Sequence, residues 1–173
     1  MSLPTILPAK LLEIKIYPDP ILKTPCISVT EITEEITTLI QNMFITMYHN
    51  GGVGLSANQV GVTKRIFVMD TTNSGDGRRA FINPEIIETS GEPERYREGC
   101  LSFPDVFAFV KRPTKIKIRA LNEKGETFEL DLQGIDAVCC LHEVDHLCGI
   151  EFLSHLSSVQ KNLIKKKLSN LKK

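Results

Sequence analysis

An α+β fold, with a central, mostly antiparallel sheet and helices towards both ends of the chain, is predicted by three features of the sequence. Apolar residues recur at helical spacing near the start and again after residue 134, short β-prone runs gather in the middle, and strands and helices do not alternate as in βαβ units. The length, 173 residues, suits a single domain over 1–173 with one sizeable core.

After a lead-in punctuated by Pro18, Pro20 and Pro25, the residues Ile32, Ile36, Leu39, Ile40, Met43 and Met47 trace one helical face. Glu31, Glu34 and Glu35 favour its N-terminal dipole, and Asn50-Gly51-Gly52 closes it, so a helix is expected over 30–49. Strands are expected at 66–69, 80–82, 85–87, 106–110, 116–121 and 127–132. The run Lys115-Ile116-Lys117-Ile118-Arg119 alternates polar and apolar, and Asn122-Glu123-Lys124-Gly125 suits a hairpin turn, which makes the sheet at least partly antiparallel. A second helix spans 134–148 and stops at Gly149; Ser157-Ser158-Val159-Gln160 opens a third with a capping-box pattern. Residues 72–77 read as a flexible loop.

Composition excludes several classes of protein. Lys+Arg and Asp+Glu balance at 21 each and 42% of residues are apolar, which argues against disorder, a fibre and a general nucleic-acid binder; no DNA partner is expected. No apolar run reaches the ~20 residues a membrane helix needs, and Met1 to Lys10 shows no charged region followed by an apolar stretch, so the expected location is cytoplasmic, off the membrane. Five cysteines without a CxxC pair do not suit a secreted disulfide framework. A special cysteine here is rather a ligand or a nucleophile.

The sharpest motif is His142-Glu143-Val144-Asp145-His146. Residues four apart on a helix lie about 40° apart around its axis, so both imidazoles can grip one ion from adjacent turns. Glu143, one step round, is placed to move protons on a water rather than to ligate. An open catalytic site usually has three protein ligands, and His49 and His155 are the other histidines. Cys100, inside Glu98-Gly99-Cys100-Leu101-Ser102, is the better candidate, although an isolated cysteine is more often a small buried hydrophobe; the residues alone leave the third ligand open. Cys139 and Cys140 read as core, with Cys139 lining the site. The run 51–61 is either a weak phosphate-loop match, lacking a preceding strand and a Lys-Ser/Thr, or a helix stop and a turn; within it Gln59 suits a hydrogen-bond donor aimed into a cleft.

Taken in order, GVGLSANQVG (52–61), EGCLS (98–102) and HEVDH (142–146) resemble the three signature motifs of peptide deformylases. The stretches 17–22 and 110–121 resemble that family too, so the likeness covers nearly the whole chain. It implies hydrolytic removal of the formyl group from the N-terminal methionine of newly synthesised proteins, with release of formate. It also implies Cys100, His142 and His146 as metal ligands, a metal-activated water as nucleophile, Glu143 as general acid/base, and Gln59 with the Leu101 N–H as oxyanion donors. Glu98 and Arg112 match a supporting ion pair. Val53, Gly54, Tyr96, Gly99, Ile135, Val138 and Cys139 match the pocket for the first side chain. Ser56, where alanine is common, Asn58, at a variable position, and Phe107, where some members carry an arginine that contacts the peptide, depart from the pattern and bear on substrate contacts.

The resemblance implies ferrous iron in vivo, whereas a thiolate with two imidazoles equally suits zinc, nickel or cobalt, and the Irving–Williams order favours zinc over iron. The chain looks like a bacterial member, acting on nascent formyl-Met chains. The basic C-terminal helix, with Lys161, Lys165, Lys166, Lys167, Lys172 and Lys173 beside an apolar stripe of Val159, Leu163, Leu168 and Leu171, is a candidate for docking on the ribosome. Two rivals stand: an HExxH zinc endopeptidase with Glu151 or His155 as third ligand, and a non-enzymatic protein with a closed structural metal site.

Overall fold

The computed structural model describes residues 10–170; the leader reading over 1–9 and Leu171, Lys172 and Lys173 of the C-terminal stripe fall outside them. The first helix, α1 (Glu34–His49), starts later than the apolar spacing predicts. Thr33 is extended and its hydroxyl accepts the Ile36 N–H at 3.4 Å, which sets the helix start there. Three strands follow, β1 (Gly54–Ser56), β2 (Ile66–Met69) and β3 (Arg79–Ser90), with a 3-10 turn over Ala57–Val60 between the first two. Then come β4 (Glu94–Cys100), β5 (Phe103–Arg112), β6 (Lys115–Leu121), β7 (Thr127–Gln133), α2 (Ile135–Leu147), a 3-10 turn over Phe152–His155 and α3 (Ser158–Asn170).

The strands form two sheets. One has five strands in the order β1-β2-β3-β6-β7 and the other is the β4-β5 hairpin, and every strand pairing is antiparallel. The larger sheet is covered on both faces. Ile66 and Val68 of β2 meet Ile40, Met43, Phe44 and Met47 of α1, whereas Phe67 and Met69 meet Ala137, Cys140 and Leu147 of α2. All four β2 residues are therefore buried, which is why this strand reads as an unbroken apolar run. Phe67 and Phe81 stack at 4.4 Å beneath α2, worth about 1 kcal/mol beyond the area they bury.

A third cluster joins the hairpin to the C-terminal segment, through Phe103, Val106, Ala108 and Val110 with Phe152, Leu153, Leu156 and Leu168. Helix α3 opens with the expected reciprocal cap: the Ser157 hydroxyl accepts the Gln160 N–H at 3.3 Å and Gln160 Oε1 accepts the Ser157 N–H at 3.2 Å. Its apolar stripe divides, since Leu168 is buried and Ile164 packs beside it while Val159 and Leu163 face solvent. At the end of α2, Gly149 has φ +72° and a Cβ there would come within 2.5 Å of the Lys23 carbonyl oxygen, so glycine alone lets the lead-in cross the helix end.

The expected loop over 72–77 is tied down by Asp70. This buried carboxylate accepts from the Thr72 hydroxyl at 2.5 Å, the Tyr48 hydroxyl at 2.7 Å, the Gly75 N–H at 2.8 Å and the Thr72 N–H at 3.0 Å, while the Asp70 N–H donates to the Val53 carbonyl. Burial opposes the charge on Asp70, yet these donors together outweigh it and bring its pKa down to about 2. A depressed folded-state pKa contributes stability above the ordinary carboxylate value of about 4 that is lost as pH falls through about 2. Asp70→Asn is expected to be less stable at neutral pH and to show a flatter decline of its urea midpoint between those two pH values. An unchanged decline would remove Asp70 as its source.

Candidate active site

The three candidate ligands meet. His142 and His146 project from the same side of α2 with their Nε2 atoms 3.2 Å apart, and Cys100 Sγ lies 3.2 Å from His146 Nε2. Among the described residues this is the one cluster of three such groups that could hold an ion, its ligand atoms all within 4.8 Å of one another. A tetrahedral ion at ordinary bond lengths would space two nitrogens by about 3.3 Å and nitrogen from sulfur by about 3.6 Å, so the donor set fits one divalent cation with a coordination position to spare. Cys100 reaches the cluster because β4 slips register after Gly99, pairing Cys100 with Phe103 and turning the chain tightly through Leu101 and Ser102.

Behind the cluster, Glu98 lies two residues before Cys100 and so shares its strand face. It accepts from Arg112 Nε at 2.7 Å and Nη2 at 3.0 Å, and from His142 Nδ1 at 2.8 Å. With its Nδ1 proton committed to Glu98, His142 turns Nε2 towards the cluster, where a bound ion would take the place of the second ring proton. Burial raises the Glu98 pKa, but the His142 imidazole and the Arg112 guanidinium outweigh it and hold the carboxyl at about 2. Arg112 continues to Asp145 at 2.6 Å, and His155 Nε2 donates to the same Asp145 oxygen at 2.7 Å. His155 is therefore engaged away from the cluster. Glu151 is buried beside Lys23, 3.9 Å away, and is not in the cluster either.

Burial also works against charge on His142, yet Cys100 and Glu98 at its two ring nitrogens push its pKa well above the ordinary value. Burial holds His146 well below its ordinary value, so its imidazole is neutral and able to ligate.

Glu143 is buried at the floor of a cleft of about 610 Å³, and its Oε2 has no hydrogen-bond partner among the described residues. Burial is the main reason that its pKa is pushed up to about 7. Gln59, opposite, is fixed in orientation: its Oε1 accepts the Ser56 N–H at 2.9 Å and hydroxyl at 2.8 Å, and its Nε2 donates to Ser102 Oγ at 3.1 Å and faces Cys100 Sγ at 3.4 Å. Asn58 Nδ2 donates to the His146 carbonyl at 2.7 Å and ties this turn to α2. Ser56 and Asn58, two of the departures from the family pattern, thus belong to the scaffold beneath Gln59.

The cleft is lined by Val53, Gly54, Gly99, Leu101, Ile135, Val138 and Cys139, and the Leu101 side chain lies where a Cβ at Gly52 would fall, at 2.7 Å. Tyr96 does not line it. Strand alternation puts Tyr96 on the face opposite Arg97 and Gly99, and its hydroxyl turns to Glu94 at 3.3 Å. Ile14 and Ile16 of the lead-in, and Arg97, Phe103 and Val106 of the hairpin, line it unexpectedly. Alternation about Gly99 could have found Arg97; nothing local marks the two isoleucines.

Residues 11–162 match the family described as Polypeptide deformylase. A peptide deformylase of Neisseria meningitidis is 47% identical over 163 residues, 94% of this chain and 97% of that protein, and one of Burkholderia multivorans is 45% identical over 163 residues, 94% and 90% of the two chains. Among solved structures, a peptide deformylase from Legionella pneumophila superposes with a TM-score of 0.91 at 35% identity, covering 94% of this chain and 96% of its own. Similarity that runs nearly end to end in sequence and fold, around a donor set suited to one divalent ion, places the chain in the polypeptide deformylase family.

Proposed function

We propose that Glu143, Gln59 and the Leu101 N–H carry out the deformylation of N-formyl-methionyl chains beside a divalent ion held by Cys100, His142 and His146. The observation that carries this reading is the convergence, at the base of one cleft, of a buried carboxyl with a free oxygen and an amide whose Nε2 is aimed by Ser56. An ion in the triad would supply Lewis acidity, making water acidic near neutral pH and polarising a carbonyl. Glu143 accepts the proton of the attacking water and returns it to the departing nitrogen as the C–N bond breaks, leaving formate and a free amine. The Gln59 amide and the Leu101 N–H donate to the oxygen that gains negative charge, each worth about 3 kcal/mol. Val53, Ile135 and Val138 offer an apolar slot for the unbranched methionine side chain.

The test is one peptide carrying either a formyl or an acetyl cap. An acetyl methyl must enter a space bounded by Gln59, Leu101 and Glu143, at a cost of about 1–3 kcal/mol in strain, and its carbonyl is less electrophilic. Formate release from formyl-Met peptide is expected to exceed acetate release from acetyl-Met peptide by at least ~10-fold, without internal cuts. Comparable rates for the two caps, or new internal amines, would favour an endopeptidase.

Ferrous iron is the ion this reading assigns in vivo, on the family likeness; the thiolate and two imidazoles suit zinc, nickel or cobalt equally, and metal content against activity in anaerobically purified protein decides it. The reading treats the chain as a single catalytic domain working in the cytoplasm, where bacterial formylated chains are made. It also includes ribosome docking by α3, whose solvent side carries Lys165, Lys166 and Lys167 with exposed Val159 and Leu163. Unchanged co-sedimentation with ribosomes at low salt after truncation at Ser158 would remove that part.

A further inference from the structure

We propose that the outward face of the β4–β5 hairpin continues the cleft into a docking strip for the substrate chain beyond its methionine, and that Arg95, Arg97 and Lys111 make it select acidic side chains there. The proposal rests on the deformylase reading and extends it to which nascent chains are served fastest.

The strip follows from register. Arg95 pairs with Lys111, Arg97 with Phe109 and Gly99 with Phe107, so these six residues share one face of the hairpin. On the other face Glu98, Val106, Ala108, Val110 and Arg112 are buried. Phe107 and Phe109 remain 55% and 52% exposed, an unusual pair for side chains of this size on neighbouring outward positions. Both are nevertheless held in place. The Phe107 ring lies over Gly99, where an added Cβ would meet it at 2.7 Å, and the Arg97 guanidinium sits 4.0 Å above the ring; Arg95 stands 5.5 Å over Phe109.

Two observations choose the occupant. Arg97, Gly99 and Phe107 line the same cleft as Glu143 and His142, so a peptide leaving the cleft past them runs on towards Phe109 and Arg95. Charge then selects the side chain. Among the described residues Arg95, Arg97 and Lys111 enter no ion pair, while of the acidic residues lining the cleft Glu98 and Glu143 are buried and Asp105 lies at the entry to β5.

The experiment compares formyl-Met-Ala-X-X-Ser peptides, with X as Glu, Ala or Lys, on metal-loaded enzyme at low ionic strength. Formate release gives kcat/KM, and anisotropy of fluorescein-labelled peptides gives binding. The Glu peptide is expected to exceed the Lys peptide by about 3- to 10-fold, mainly through KM, and the ratio should shrink towards one as salt screens the strip. The double variant Arg95→Glu/Arg97→Glu should reverse the order. Equal kcat/KM and binding for the Glu and Lys peptides in wild type, or an order that the double variant leaves intact, would overturn the proposal. The parent reading fails separately: no formate from any peptide, with the binding preference retained, would remove the chemistry and keep the strip.

Discussion

Glu143→Gln is expected to keep its metal near the wild-type content and to lose at least ~10²-fold in kcat, with KM little changed. Glutamine has the shape of glutamate, so it fills the same space beside Gly54 and Cys139 and leaves His142 and His146 on an undisturbed α2. What it lacks is a site for a proton. In the wild type, burial pushes Glu143 up to about 7, so the carboxyl can both take and give a proton near neutral pH, and its Oε2 is committed to no neighbour among the described residues. Because the loss falls on proton transfer and not on peptide binding, kcat and kcat/KM should drop together. Metal analysis alongside steady-state kinetics makes the distinction. Normal turnover at normal metal content would take Glu143 out of the mechanism, and loss of metal would make it part of the metal site.

Local spacing reveals the parts of this site that lie on one helix. His142, Glu143 and His146 follow from an i, i+4 pattern between Gly134 and Gly149, both at positive φ, so the expected bounds of α2 differ from the observed ones by a single residue at each end. Strand β4 is different. Its residues Glu94-Arg95-Tyr96-Arg97-Glu98 look like solvated loop, because the one that is buried, Glu98, is neutralised only by Arg112 from the next strand and His142 from α2. No local pattern contains those partners: the family likeness supplies Arg112, and the contact with His142 comes from the structure alone. The β3 strand shows the converse. Asn83-Pro84 separates the expected runs 80–82 and 85–87, yet the strand continues through it. Asn83 takes φ +52° while its side chain accepts the Val29 N–H and donates to the Val29 carbonyl, each at 2.8 Å, so the backbone of a residue 54 positions away absorbs the irregularity. Tyr96 is absent from the cleft lining although Glu98, two residues on along β4, is part of it: Tyr96 lies further from the bend at Cys100, and its hydroxyl turns to Glu94.

Gly54→Ala is expected to lower kcat by about 10²-fold although it adds one methyl group and touches neither the triad nor Gln59. A Cβ at this position would stand 2.5 Å from Glu143 Oε1, 2.9 Å from Cys139 Sγ and 3.0 Å from the Glu143 carboxyl carbon. The backbone has little room to retreat, since β1 is paired residue for residue with the fully buried β2, Gly54 opposite Met69. Cys139 is itself buried on α2, so the Glu143 side chain must give way by the better part of an ångström. A general base displaced by that much loses its line to both the attacking water and the departing nitrogen, and a shift of about 1 Å at a reacting group can cost 10²-fold. Overpacking should also cost about 1–3 kcal/mol of stability, visible as a lower urea midpoint. Metal content is the control: the atoms nearest the new methyl belong to Glu143 and Cys139 and not to Cys100, His142 or His146, so it should stay near wild type. The double variant Gly54→Ala/Cys139→Ala, in which one of the two obstructed atoms is removed, should recover part of the lost rate. Wild-type kcat in Gly54→Ala would show that the Glu143 carboxylate has freedom this packing denies it.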